Sequence, residues 1–153
     1  MVGDLTYGGV KMPVHYGTKY GVERLAANWY VACHVGDDVY ALDILKGYEF
    51  DGASIPRLLW RVCGHPMEIP RLAAALAHDW LYSAHLTDRA TADAIYRAIC
   101  RQMGLGAFRT AVEHRALRMF GGSAWSGHGA DDENFARAHG ALRKNGNTVK
   151  DSE

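Results

Sequence analysis

Between residues 29 and 46 the chain alternates: Trp29, Val31, Cys33 and Val35 are separated by Tyr30, Ala32 and His34, and Gly36-Asp37-Asp38 then offers a turn before Val39 to Leu45. Period two with a polar turn predicts an antiparallel hairpin, about 28–35 paired with 39–46. A weaker strand is suggested near Val10 to Tyr16, but glycines at 3, 8, 9, 17 and 21 leave the opening stretch irregular. After Phe50 the period becomes helical. A short helix is predicted over Arg57–Cys63, with Ser54 as its cap and Pro56 in its first turn. A second follows Pro70 to about Ser83. A third starts behind Thr87 and runs to Met103, where Gly104 stops it, and a fourth covers Ala107–Phe120 before Gly121-Gly122. Strands first and helices after predict an α+β fold: a small antiparallel N-terminal sheet packed against a bundle of about four helices.

At 153 residues the chain has room for one domain with a sizeable core. That domain is expected over 1–122. Beyond it, 123–153 loses apolar periodicity and reads as a surface tail, with a short helix from Asp131 to Leu142 and an end, from Asn145, that is disordered unless a partner holds it.

The second helix reads RLAAALAHDWLYSAH, and its apolar residues cover every side of the cylinder. Such a helix is buried. His78 and Asp79 stand inside it, where an unpaired ion would cost several kcal/mol, so both need partners. The candidates are Tyr82 one turn away, His85 on the same face, Asp93 on the third helix, Asp51 in the preceding loop, and the arginines of the third and fourth helices. Buried polar clusters are either fold-specifying networks or sites. The small-residue loop Phe50-Asp51-Gly52-Ala53-Ser54-Ile55-Pro56, just ahead of a helix, adds Asp51 and Ser54 as binding candidates. A histidine, a carboxylate to orient it and a further carboxylate are the parts of a base, its orienter and a hard-metal ligand.

Charge narrows the partners. Seventeen Lys+Arg against seventeen Asp+Glu give no net charge, so nothing indicates nucleic acid. The distribution is uneven: residues 1–56 carry net −3, 57–118 net +4 and 119–153 net −1, and all nine cations of the middle section are arginines. No apolar run approaches the roughly twenty residues of a membrane span, and the N-terminus has no export pattern. Three isolated cysteines, Cys33, Cys63 and Cys100, read as buried thiols of a reducing compartment.

The segments FDGASIPRLLW, AALAHDWLY, TDRATADAIYRAICRQMG and ALRMFGGSAW, over residues 47 to 125, resemble the phage and prophage family known as domain of unknown function 1353. The resemblance implies a bacteriophage or prophage origin, with the host cytoplasm or the virion as location and other phage proteins as partners. The helix motif H-D-x-x-Y followed by an Asp on the next helix is also similar to phospholipases A2. That similarity implies His78 as the base that activates water, Asp93 as its orienter, Asp79 as a calcium ligand and Tyr82 as support, although the glycine- and cysteine-marked calcium loop of those enzymes is absent. Zinc is the other candidate metal, with His78, His85, Asp79 or His114 as donors, but no H-E-x-x-H spacing is present. Two functions follow: a small metal-assisted hydrolase acting on a host-envelope component through His78 and Asp93, or a non-catalytic tail or accessory component in which the same cluster is structural.

Overall fold

The computed structural model describes residues 2–7, 10–15, 22–51 and 69–150. Among the described residues, two four-stranded antiparallel sheets and five helices make the α+β fold. The strands are β1 (Val2–Tyr7), β2 (Val10–His15), β3 (Val22–Leu25), β4 (Trp29–Val35), β5 (Asp38–Ile44), β6 (Glu49–Asp51), β7 (Gly140–Lys144) and β8 (Asn147–Thr148). The helices are α1 (Ile69–Ala84), α2 (Arg89–Gln102), α3 (Ala107–Phe120), α4 (Gly122–Ser126) and α5 (Ala130–Ala138).

One sheet has the order β1-β2-β3-β6 and the other β4-β5-β7-β8. The opening stretch, read as irregular apart from a weaker strand near Val10 to Tyr16, forms a regular hairpin: β2 stands at that weaker strand, and β1 pairs with it, Val2 with His15 and Tyr7 with Val10. The β4–β5 hairpin stands where the alternation puts it. Trp29 and Cys33 are buried on β4, Tyr40, Leu42 and Ile44 on β5, and Gly36 turns the chain at φ +61°.

The stretch after 123 departs most from the sequence reading. Its helix ends at Ala138 rather than Leu142, and the next residues form β7, which pairs antiparallel with β5. Ala136 and Leu142 have no solvent exposure and belong to the same core as β5 and α1. Burial of those two side chains, with a ladder of backbone hydrogen bonds to β5, incorporates a segment whose own pattern is weak.

α1 is buried along almost its whole described length: Leu72, Ala73, Ala74, Leu76, Ala77, Trp80, Leu81 and Ala84 are all fully enclosed. The Trp80 indole N–H donates to the Ala136 carbonyl at 2.8 Å, fastening α5 to it. α2 is capped by Asp88 rather than Thr87, because the Asp88 carboxylate accepts from the Thr91 backbone N–H at 2.9 Å and from the Thr91 hydroxyl at 2.7 Å. It ends in a Schellman motif: Gly104 at φ +92° donates to Arg101 and Leu105 to Cys100. α3 has the expected bounds. The predicted helix 57–63 and Cys63 lie outside the described residues. Among the described residues no helix is long and apolar enough to cross a membrane.

Candidate functional site

His78 occupies the centre of α1, 1% exposed, and its Nε2 lies 2.8 Å from Oδ1 of Asp93 on α2, itself fully buried. The two helices pack side by side, which brings the middle of α1 against the second turn of α2. Tyr82, one turn after His78, donates its hydroxyl to the same Asp93 oxygen at 2.6 Å and stands against the imidazole with ring centroids 3.9 Å apart. Arg118 of α3 donates from Nη1 to the other Asp93 oxygen at 2.9 Å, and Arg89 lies 3.9 Å from it. One carboxylate thus joins three helices.

Arg89 has a second task. Its Nη2 donates to the Leu117 and Arg118 carbonyls, both at 2.7 Å, and its Nε donates to the Tyr82 hydroxyl at 3.3 Å. The guanidinium caps the C-terminal end of α3, where carbonyls lack helical partners and the dipole favours a cation. Gly121 completes the joint: a Cβ there would lie 2.7 Å from the Tyr82 hydroxyl and 2.6 Å from the Leu117 carbonyl oxygen. Only glycine lets the chain pass this close.

These contacts set the protonation. Burial pushes the His78 imidazole below its usual range, against the opposing pull of Asp93, so the ring is neutral near pH 7. Burial alone would raise the Asp93 carboxyl, but hydrogen bonds from His78, Tyr82 and Arg118 outweigh it and hold the group below the usual carboxylate range. Tyr82 is pushed upward by burial and by Asp93, and remains a hydroxyl donor. With Nε2 engaged by the carboxylate, His78 Nδ1 is the one buried side-chain nitrogen or oxygen among the described residues with no hydrogen-bond partner.

Asp79 does not share this arrangement. Adjacent residues on a helix point about 100° apart, and Asp79 is half-buried on another side, where its Oδ2 accepts from the Tyr48 hydroxyl at 3.0 Å. It lines a cleft of about 260 Å³ with Glu49, Ser83, His128, Asp132 and Phe135. Among the described residues no group of three His, Cys, Asp or Glu side chains stands close enough to hold a metal ion, so neither the calcium nor the zinc set drawn from the sequence is assembled there. His85 is engaged elsewhere: its Nε2 lies 3.1 Å from the Trp125 carbonyl oxygen and its Nδ1 3.4 Å from Glu133. His114 lines a groove beside Arg97 on the α2–α3 surface. Asp51 ends β6, its backbone paired with Val22, while its side chain and Ser54 lie outside the described residues.

Of the sequence candidates, then, the structure unites His78, Asp93 and Tyr82 and separates Asp79 and His85 from them. Arg89 and Arg118 belong to the group of arginines expected to supply partners, but only packing selects these two. Gly121 reads in the sequence only as a helix stop, and Tyr48 carries no signal there at all.

Residues 25–117 match the family model described as protein of unknown function (DUF1353). The match begins well before the segments that carry the resemblance, and takes in the β4–β5 hairpin as well as α1, α2 and most of α3. No curated protein and no solved structure matches the chain.

Proposed function

This chain belongs to the DUF1353 family, and from that premise we propose that it is a phage- or prophage-encoded hydrolase acting on a host-envelope component, with His78 as general base. The observation that carries the reading is the pairing of opposite states at the two nitrogens of one ring. Nε2 is fixed by Asp93 at 2.8 Å, and Nδ1 is unpartnered and unprotonated in the tautomer that donates to the carboxylate. A base needs a neutral ring, a fixed tautomer and one free lone pair.

In this reading His78 Nδ1 takes a proton from water as the water oxygen bonds to an acyl carbon and the carbonyl electron pair moves to its oxygen. When that pair returns, the bond to the leaving atom breaks, an ester oxygen in a phospholipid or an amide nitrogen in peptidoglycan, and the imidazolium returns its proton to that atom. Asp93 already accepts from His78, Tyr82 and Arg118, so it stays ionised, orients the ring and stabilises its transient charge.

A second reading has its own support. His78 and Asp93 are almost wholly enclosed, as members of a structural network joining α1, α2 and α3 would be, and the chain would then be a non-catalytic tail or accessory component. Hydrolysis of phospholipid vesicles and of peptidoglycan by the parent and by His78→Gln separates the two. The hydrolase reading expects turnover that falls on the order of 100- to 10,000-fold in the variant, as for loss of a general base, with little change in melting temperature. Absence of turnover in the parent, with a large drop in the variant's melting temperature, would establish the structural reading instead.

A further inference from the structure

The outward face of α3 is unusual in composition. Phe108 is 82% exposed, Met119 65% and Phe120 57%, the most exposed large apolar side chains apart from Tyr30 among the described residues. Phe108, Ala111, Val112, Arg115 and Met119 follow the helical spacing, so they form one stripe about 16 Å long at the 1.5 Å rise of a helix.

The exposed charge within this stripe, at Arg115, and around it has one sign. Arg97 and Arg101 from α2 and Arg109, Arg115 and Arg118 from α3 are exposed. The only acidic residues of these two helices, Asp93 and Glu113, are buried, one on Arg118 and the other accepting from the Tyr96 hydroxyl at 3.0 Å. Arg97 and Arg115 form no ion pair among the described residues. Between them lies a groove of about 410 Å³, floored by Phe108, Ala111 and Val112 and bordered by Arg97, Arg115 and Arg118.

We propose that this α2–α3 face docks the protein on a bilayer containing anionic phospholipid, with the Phe108–Met119 stripe entering the headgroup boundary and Arg97 and Arg115 meeting lipid phosphates. A membrane surface offers both complements at once, an apolar layer beneath a plane of negative charge. Nucleic acid would satisfy the arginines and leave Val112 and Met119 without a role. A second copy meeting the same face would oppose arginine to arginine, which like charges disfavour. The inference is independent of the hydrolase reading, because it concerns binding and uses none of the His78 contacts.

Flotation of the full chain with vesicles tests it. Binding is expected to phosphatidylcholine vesicles containing about 30% phosphatidylglycerol, to be weak on phosphatidylcholine alone, and to fall as salt shortens the screening length from about 10 Å to about 3 Å. The double variant Arg97→Gln/Arg115→Gln should bind about 30-fold more weakly, since each arginine near an anionic surface contributes about a factor of five. Phe108→Ser should weaken binding as well, and His78→Gln should bind as the parent does, so that loss of turnover and loss of docking remain distinguishable. Unchanged melting temperatures confirm that the surface variants fold. Equal binding to both vesicle types, no binding to either, tighter binding to duplex DNA than to the anionic vesicles, or a dimer that Phe108→Ser dissolves would each overturn the proposal.

Discussion

Gly140 passes so close to Trp80 that a Cβ at residue 140 would lie 2.7 Å from two atoms of the indole and 2.6 Å from the Asp43 carbonyl oxygen. The contact is where β7, paired with β5, meets the fully buried Trp80 of α1, and the same indole donates to Ala136 just before the strand begins. A glycine with no special backbone angle is needed there for space alone. Gly140→Ala should therefore destabilise the fold by about 1–3 kcal/mol, the usual cost of overpacking. Urea unfolding measures it, and a midpoint equal to the parent's would show that β7 can move away from α1 freely.

Removing the shared carboxylate should be costlier. In Asp93→Asn the Arg118 and Arg89 cations lose their buried counter-charge while His78 and Tyr82 keep a neutral acceptor at best. Loss of one partner from a buried ionic group predicts about 3–5 kcal/mol. A melting temperature within a degree or two of the parent would contradict the network described for α1, α2 and α3.

Asp79→Ala should cost less, about 1.5–3 kcal/mol. From the sequence alone, a carboxylate inside an all-apolar helix implies the larger penalty of a buried pair. The structure leaves Asp79 half-buried and bonded to the Tyr48 hydroxyl, so the loss is that of a hydrogen bond to a charged group. Calorimetry of Asp79→Ala beside Asp93→Asn tests the order, and equal losses would place both carboxylates in one buried network.

Two pH windows follow from the shifted groups. Burial disfavours the charged form of His78, so its folded value lies below the usual 6.5. In the window below 6.5 the unfolded chain takes up a proton that the folded chain does not, and stability falls as the pH drops through it; above 6.5 the contribution is complete. Asp93 is held below the usual 3.8, so its contribution is present above 3.8 and is lost as the pH falls further. Chemical unfolding between about pH 7 and 5 should show the first loss, and His78→Gln should flatten it. An unchanged slope in that variant would assign the acid sensitivity to another group.

The thiols offer a simple check on burial. Cys33 is enclosed on β4 and burial pushes its thiol up to about 11; Cys100 is enclosed on α2. In a Cys63→Ser background both should react with a disulfide reagent only as fast as the protein opens, because the attacking species is the exposed thiolate. Prompt reaction of either in the folded protein would show that its helix or strand is not packed as described.

How much of this was legible along the chain depends on where each cause acts. The β4–β5 hairpin, the bounds of α3, the end of α2 at Gly104 and the burial of α1 follow from local causes: period-two alternation, a glycine that accepts positive φ, and an apolar helix surface on all sides. That His78 needs a buried partner was also legible, with Asp93 one of several candidates, since a buried helix cannot leave its polar side chains unsatisfied. The orientation of each helix about its own axis was not. Adjacent residues in the sequence, His78 and Asp79, point about 100° apart, and only packing against α2 on one side and Tyr48 on another sends them to different neighbours. The choice of Arg89 and Arg118 among the six arginines of α2 and α3, and of glycine at 121 against the Tyr82 hydroxyl, likewise depends on distances between helices, which no spacing encodes. The strands at 2–7 and 140–148 have weak patterns of their own and exist because a neighbouring strand supplies their hydrogen bonds. Sequence determined that α1 must be buried and that its polar groups need partners; tertiary packing decided which partner each one meets and drew Ala136 and Leu142 into the core, because those choices are made across space between segments whose patterns are read separately.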